Sequence, residues 1–229
     1  MSLTTELVLV RHGQAVDNVE PLTNLTGSCR GLTERGHTQA ELVGARLAKQ
    51  MTGVNAFDVV CHSPVTRAAQ TTEHVVAALG PRIQVECVPD LRVMDHGVDG
   101  QHPWEPKTNL IGTIPPLAPE APPAEGAESW QQYLDRSGLA LRDIAARYEG
   151  GRILVIAHSE TSASALHSFM RLPVGASRWT FPIISHTSLT GWRHTHSAWP
   201  GGDDDGQWAL LYLNDDTHLP EADRIWPQG

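Results

Sequence analysis

Apolar runs of strand length alternate with segments of helical periodicity along most of this chain. Strands are predicted where apolar residues follow one another or alternate with polar ones, and helices where they recur every three or four positions. The predicted strands cover residues 6–10, 57–61, 83–88 and 153–157, with two further β-rich stretches at 188–193 and 207–213. The predicted helices cover residues 36–51, 63–79, 127–149 and 160–170, the second with Ser63 as its N-cap.

This alternation predicts βαβ units and a largely parallel sheet, which places the chain in the α/β fold class. The 229 residues suffice for a single domain with a substantial core, over residues 1–229. Residues 100–126 break the pattern because seven of them are proline, which disrupts helices and strand pairing. We expect this insertion to act as a lid over the active site, and the alternative is a surface excursion without a catalytic role.

Composition narrows the range of partners. The formal net charge of −9 argues against nucleic acid as the main partner, so any phosphate site must be a local cluster of basic groups. No apolar run is long enough to span a bilayer, and no export signal is recognised. The three cysteines, Cys29, Cys61 and Cys87, are predicted to be free thiols in a reducing cytoplasm, the last two in the core.

The candidate chemistry begins at the carboxyl end of the first predicted strand, where Arg11, His12 and Gly13 follow one another. Ligands bind at this edge in open α/β sheets. Asn18 follows in the next loop, Arg67 lies early in the helix after the second strand, and His158 ends a later strand. These groups suit phosphoryl transfer, because imidazole is a nucleophile and guanidinium groups hold phosphoryl oxygens. No metal is required.

Four ordered segments, residues 9–18, 31–40, 63–71 and 155–158, resemble the motifs of the histidine phosphatase superfamily, also called the phosphoglycerate-mutase-like family. Residues 211–219 resemble its terminal strand and tail. The resemblance implies a three-layer α/β/α sandwich with a mostly parallel central sheet. It also implies a catalytic phosphohistidine, here on His12, and no cofactor.

The sequence departs from the family at the proton donor. The family supplies a Glu from the loop after the third strand in a Leu-x-Glu sequence, and Val93 stands at that position. Asp95, two residues further on, and Glu160, at the start of the helix after His158, are the two candidate replacements. The alternatives of another group, or of no acid at all, stay open.

Several further residues are predicted to contact the substrate rather than to react. These are Asn18, Arg30, His186 and Ser159, which replaces a glycine common in the family. The alternate residues His194 and His196 would share one face of a strand, but no third metal ligand is evident nearby, and no metal site is predicted.

The leading hypothesis is therefore a cytoplasmic, metal-independent phosphatase that hydrolyses a small phosphorylated metabolite through His12. One alternative is a phosphotransferase of the phosphoglycerate mutase type. Another is a catalytically impaired protein that binds phosphorylated ligands, motivated by Val93. The oligomeric state is not determined, and a homo-oligomer stays open.

Overall fold

The computed structural model describes residues 4–19, 29–51, 56–95, 97, 118–122, 124–178, 181–196 and 206–224. Within these ranges six strands form one sheet: β1 (Thr4–Arg11), β2 (Val59–His62), β3 (Gln84–Cys87), β4 (Arg152–Ala157), β5 (Leu189–Thr195) and β6 (Gln207–Asp215). The α-helices are α1 (Val16–Val19), α2 (Glu34–Gln50), α3 (Thr66–Leu79), α4 (Trp130–Arg147) and α5 (Ser159–Phe169). Short 3₁₀ helices cover Pro89–Leu91, Val174–Arg178 and Glu221–Asp223.

The strand order β3-β2-β4-β1-β5-β6 places β1 and β4 side by side in the middle of the sheet. The first four strands in this order are parallel, β5 runs antiparallel to β1, and β6 runs antiparallel to β5. The β1–β4 register pairs Arg11 with Ala157, so the residues that follow, His12 and His158, leave the sheet at the same edge. The backbone N–H of His12 donates to the carbonyl of Ala157 at 2.9 Å, which extends the pairing into the site.

Two apolar layers enclose the sheet. Side chains alternate along a strand, so Leu7 and Leu9 join the core under α4 and α5, while Val8 and Val10 join the core under α2 and α3. The predicted three-layer α/β/α sandwich with a mostly parallel central sheet is therefore confirmed.

Two local predictions were wrong. Helix α3 begins at Thr66 with Val65 as its N-cap, and the Ser63 hydroxyl lies before the helix, where it contacts His158 and accepts the N–H of Val65. Cys87 is exposed rather than buried, because β3 is an edge strand, whereas Cys61 in β2 lies in the core. Burial raises the pKa of the Cys61 thiol to about 12.

Most of the proline-rich insertion, residues 100–117 and 123, lies outside the described residues, and so does the prediction that it forms a lid. In the parts of the chain that the structure describes, no helix combines the length and the apolar character needed to cross a membrane.

Candidate active site

Four side chains from three βα junctions meet at the carboxyl edge of the parallel strands. Arg11 ends β1 and His12 follows it, Arg67 lies in the first turn of α3, and His158 is the N-cap residue of α5. All four are buried, with exposed fractions of 2–7%. The structure thus brings together the four residues that the sequence predicts to carry the chemistry.

The hydrogen bonds of His12 fix its tautomer. Its Nδ1 lies 2.7 Å from the carbonyl oxygen of Gly13. A carbonyl only accepts, so Nδ1 must carry the proton in the neutral ring. Arg67 Nε donates to His12 Nε2 at 3.0 Å, which requires a lone pair on that nitrogen. His12 therefore presents Nε2 as its nucleophilic atom toward the arginine-lined side of the site.

Arg67 connects both histidines. Besides its bond to His12, its Nη2 lies 3.5 Å from His158 Nδ1. His158 Nε2 in turn lies 2.8 Å from the Ser63 hydroxyl oxygen, and the two imidazole rings are 5.3 Å apart. Since Nδ1 faces a donor, Nε2 is the protonated nitrogen of neutral His158 and donates to Ser63.

Arg11 is a desolvated cation with unused hydrogen-bonding capacity. Its Nη1 donates to the carbonyl of Ile184 at 2.5 Å, while its buried Nε has no hydrogen-bond partner among the described residues. Burial lowers the pKa of Arg11 to about 10, with the Glu160 carboxylate opposing the shift, so the group stays charged at neutral pH. A buried cation with an unpaired N–H is suited to holding an anionic oxygen.

The same surroundings keep the imidazoles neutral. Burial, followed by the charge of Arg67, lowers the pKa of His12 well below its ordinary value and that of His158 to about 3. Burial and Arg11 likewise lower the pKa of His186. At neutral pH the site therefore combines two guanidinium charges with neutral imidazole rings, so that it attracts a phosphoryl group and leaves Nε2 of His12 unprotonated.

The loop that carries His12 is held by close backbone packing. A Cβ added to Gly13 would lie 2.4 Å from the carbonyl oxygen of Gly36, so a side chain there would push α2 away from the site. The Gly13 N–H donates to Thr71 on α3 at 3.0 Å. The two glycines of the sequence motifs thus allow α2 and α3 to support the histidine loop.

The predicted substrate-contact residues lie around this cluster at different distances. Asn18 lies in the short helix α1 and not in a loop as predicted. Its Oδ1 is 3.2 Å from His186 Nε2 and also accepts the N–H of Ala15, so Asn18 links the start of α1 to His186. The His186 ring lies 5.9 Å from that of His12. Arg30 is further out, with its Nε 3.4 Å from Asp17 and its side chain 43% exposed.

Asp17 is a site residue that sequence reasoning missed. Its side chain is 3% exposed, and its Oδ2 lies 3.7 Å from Arg67 Nη1. The residue directly precedes Asn18 in the first motif. Nothing in its spacing distinguished it from an ordinary solvated aspartate, because its burial depends on Arg67, fifty positions further along the chain.

The two candidate acids have different surroundings. Glu160 is 6% exposed, and its Oε2 accepts a hydrogen bond from the Ser159 hydroxyl at 2.9 Å. Its charge acts on Arg11, on His158 and on the buried Tyr133, whose pKa is raised by burial and then by Glu160.

Asp95 is held in a local turn. Its Oδ1 accepts the N–H of Gly97 at 2.9 Å, and its backbone pairs with Glu128, just before α4. No contact joins Asp95 to the histidine cluster within the described residues. The structure therefore brings Glu160 to the cluster and leaves Asp95 at the start of α4.

The second histidine pair lies at the opposite edge of the sheet. His194 lies in β5, next to its last residue, and His196 directly follows the strand, where Thr195 pairs with Thr4 at the start of β1. His196 Nε2 lies 2.6 Å from Glu149. In the described ranges no group of three or more His, Cys, Asp or Glu side chains is arranged to hold a metal ion.

Comparison with known families agrees with this geometry. The sequence model described as "Histidine phosphatase superfamily (branch 1)" matches residues 7–200, which include the whole cluster. The chain belongs to this superfamily. Its predicted membership is confirmed. The sheet and its flanking helices form the fold of this superfamily.

The proteins that this superfamily member is similar to include a mutase by sequence and phosphatases by fold. A 2,3-bisphosphoglycerate-dependent phosphoglycerate mutase from Brucella ovis is 33% identical over 146 residues, 58% of this chain and 68% of the relative. A phosphoserine phosphatase mutant from Entamoeba histolytica, solved with phosphoserine, superimposes with a TM-score of 0.69 at 19% identity, covering 94% of this chain and 100% of that one.

A mycobacterial glucosyl-3-phosphoglycerate phosphatase superimposes with a TM-score of 0.68 at 21% identity, covering 93% of this chain and 99% of the other. At such identities the two superpositions show a shared fold only.

Proposed function

We propose that this histidine phosphatase hydrolyses a small phosphorylated metabolite, a phosphomonoester, through a phosphohistidine on His12 and without a metal. The observation that carries the proposal is the neutral His12 ring, with the lone pair of Nε2 directed at Arg67, in a buried site with two guanidinium groups. Positioning and charge stabilisation provide most of the catalysis in phosphoryl transfer, and this cluster offers both.

The reaction follows from the geometry in two steps. His12 Nε2 attacks phosphorus, the bond to the leaving oxygen breaks, and Arg11, Arg67 and His158 hold the remaining phosphoryl oxygens, with Asn18 at the edge of the site. The leaving alcohol takes a proton from an acid. Water then gives a proton to the carboxylate left by the acid and attacks the phosphohistidine, which releases inorganic phosphate and regenerates the acid and neutral His12.

Glu160 is the acid that we assign to this step, in place of Asp95. It is buried beside Arg11 and His158, whereas the carboxylate of Asp95 accepts a backbone N–H in its own turn. Met94, which follows Val93, packs with Tyr133 and Ala163 on the side of the site where Glu160 lies. A carboxylic acid on α5 can thus serve the same region as an acid at position 93. An incoming phosphoryl dianion favours the protonated carboxyl, as a donor requires.

The mutase relative supports a second candidate, transfer of the phosphoryl group between positions of a phosphoglycerate. A mutase must hold its intermediate while it reorients. The missing acid at Val93 motivates the third candidate, binding of phosphorylated ligands without turnover. We favour hydrolysis, and we propose a cytoplasmic location because the cysteines in the described residues are free thiols.

The test is the hydrolysis of an aryl phosphate by the wild type, His12→Ala and His194→Ala, with and without chelator. An aryl leaving group needs little protonation, so the assay isolates the nucleophile. We expect chelator-resistant activity in the wild type and in His194→Ala, and none in His12→Ala. Activity retained in His12→Ala would exclude the mechanism. Phosphate binding without turnover in the wild type would favour the binding protein, and transfer to phosphoglycerate exceeding hydrolysis would favour the mutase.

A further inference from the structure

We infer that the Asp17 carboxylate competes with the phosphoryl group for Arg67. The inference rests on the proposed role of Arg67 in holding that group. Asp17 lies on α1, directly before Asn18, and its Oδ2 is 3.7 Å from Arg67 Nη1. A carboxylate and a phosphoryl group carry the same sign of charge and bind the same face of a guanidinium, so they cannot share Nη1 without cost.

The other nitrogens of Arg67 are already assigned within the site. Nε donates to His12, and Nη2 faces His158. Nη1 has the Cys29 sulfur at 3.5 Å and Asp17 as its neighbours among the described residues. Sulfur is a weak acceptor, so Asp17 is the anion next to the nitrogen that a phosphoryl oxygen would use.

Burial makes this pair different from the ion pairs on the surface. The side chains of Asp17 and Arg67 are 3% and 8% exposed, so solvent screens their interaction little. Asp17 Oδ2 is buried and accepts no hydrogen bond from the described residues. The carboxylate is thus close enough to attract Arg67 but is not bonded to it in the bidentate manner of a permanent structural pair.

Arg30 contacts the other side of the same carboxylate. Its Nε lies 3.4 Å from Asp17 Oδ1, and the Arg30 side chain is 43% exposed. When a phosphoryl group occupies Arg67, the charge of Asp17 can still be offset by Arg30. Asp17 therefore neutralises Arg67 in the empty site, weakens the hold of the site on inorganic phosphate, and so favours release of the product.

If Asp17 competes with phosphate, its replacement should strengthen phosphate binding, whereas a substitution that damages the site should weaken it. We expect Asp17→Asn to bind inorganic phosphate about tenfold more tightly than the wild type in calorimetric titration at pH 7.5, because a buried like charge is removed. Asp17→Ala should also bind phosphate more tightly, which separates loss of the charge from a new amide hydrogen bond. In turnover with an aryl phosphate, both variants should show a lower KM and stronger inhibition by phosphate.

Asp90→Asn is the matched control. It removes the same charge from an aspartate that also pairs with an arginine, Arg92 at 3.2 Å, but whose side chain is 62% exposed. Its phosphate affinity should stay within about twofold of the wild type because solvent screens exposed charges. Unchanged or weaker phosphate binding in both Asp17 variants would overturn the inference and make Asp17 a support for Arg67 only.

Arg67→Ala distinguishes that result from a failure of the proposed function. Loss of phosphate binding in Arg67→Ala, together with unchanged binding in the Asp17 variants, would refute competition but keep Arg67 as the phosphoryl ligand. Wild-type phosphate affinity in Arg67→Ala would refute both the role of Arg67 and the inference built on it.

Discussion

Two trios, each made of two histidines and a glutamate, lie at opposite ends of the strands. His12 and His158, with Glu160, occupy the carboxyl edge, and His194 and His196, with Glu149, occupy the other. The ring centroids are 5.3 Å apart in both pairs, at interplanar angles of 66° and 77°. Proximity of the rings is therefore the same at the two edges.

The surroundings of the two trios differ. His12 and His158 are buried beside Arg11 and Arg67, and these neighbours hold both imidazoles neutral. The side chains of His196 and Glu149 are 46% and 48% exposed, and His194 packs on the ring of Trp208. Burial and fixed positive charge, rather than the pairing of histidines, make one edge suitable for phosphoryl transfer.

The largest difference is expected from the two glutamates. With an alkyl phosphate, Glu160→Gln should lower kcat by about 10²–10⁴, the usual contribution of a general acid, and Glu149→Gln should change it by less than about twofold. With an aryl phosphate, Glu160→Gln should have a much smaller effect, because a good leaving group needs little protonation.

Two further variants complete that comparison of leaving groups. Asp95→Asn is expected to leave the ratio of alkyl to aryl activity unchanged. Val93→Glu, placed in the Glu160→Gln background, should restore part of the alkyl activity. If Asp95→Asn instead shows the selective loss and Glu160→Gln does not, the acid is Asp95.

The histidines should differ in the same direction. His158→Ala removes a buried group beside the phosphoryl site, and kcat/KM should fall by about 10²–10³ for aryl and alkyl substrates alike. His196→Ala at the other edge should leave kcat/KM within about twofold. A comparable loss in both variants would show that the change acts through folding, which circular dichroism of each variant would reveal.

The pH dependence of the rate should also distinguish the buried His12 from an exposed histidine. Since the pKa of His12 lies well below 6.5 in the folded protein, the nucleophile stays unprotonated as the pH falls through the range where an ordinary imidazole titrates. We therefore expect kcat/KM for an aryl phosphate to show no loss centred near pH 6.5. A loss of rate there that follows a single protonation would mean that His12 titrates as an exposed histidine.

The lowered histidine pKa values protect the rate at acid pH, but they should make the folded protein less stable there. The pKa of His158 is about 3 in the folded chain and near 6.5 when unfolded, so the unfolded chain binds more protons between these values. The free energy of unfolding should fall as the pH is lowered from about 6.5 toward 3. In His158→Phe the side chain at position 158 has no group to titrate. Denaturant titrations should therefore show that the free energy of unfolding depends less on pH in this variant than in the wild type. Equal slopes would contradict the burial of a neutral His158.

The smallest effect is expected for the stability of the second trio. Glu149→Gln removes an exposed ion pair with His196, and such pairs contribute less than about 1 kcal/mol. Urea unfolding at pH 6 should thus place the variant within that range of the wild type. A loss of several kcal/mol would indicate that the pair is structurally important and that the two edges are more alike than their exposure suggests.

The sheet and the cluster of Arg11, His12 and His158 could be predicted from the sequence because both depend on local patterns. Apolar runs located the strands, and βα junctions placed Arg11, His12 and His158 at one edge. Contacts between distant parts of the chain could not be predicted in this way. Ser63 was predicted to cap a helix but bonds His158, and Arg11 donates to Ile184, which lies 173 positions away. The burial of Asp17 and Glu160 likewise arises only once the elements have packed together.

The most direct test of the central claim is to trap the phosphoenzyme. Wild type and His12→Ala are mixed with an aryl phosphate, quenched in alkali within milliseconds and analysed by peptide mass spectrometry. The account predicts one phosphoryl group on His12 in the wild type and none in the variant. Rapid hydrolysis by the wild type with no phosphohistidine at His12, or a phosphoryl group elsewhere that persists in His12→Ala, would contradict it.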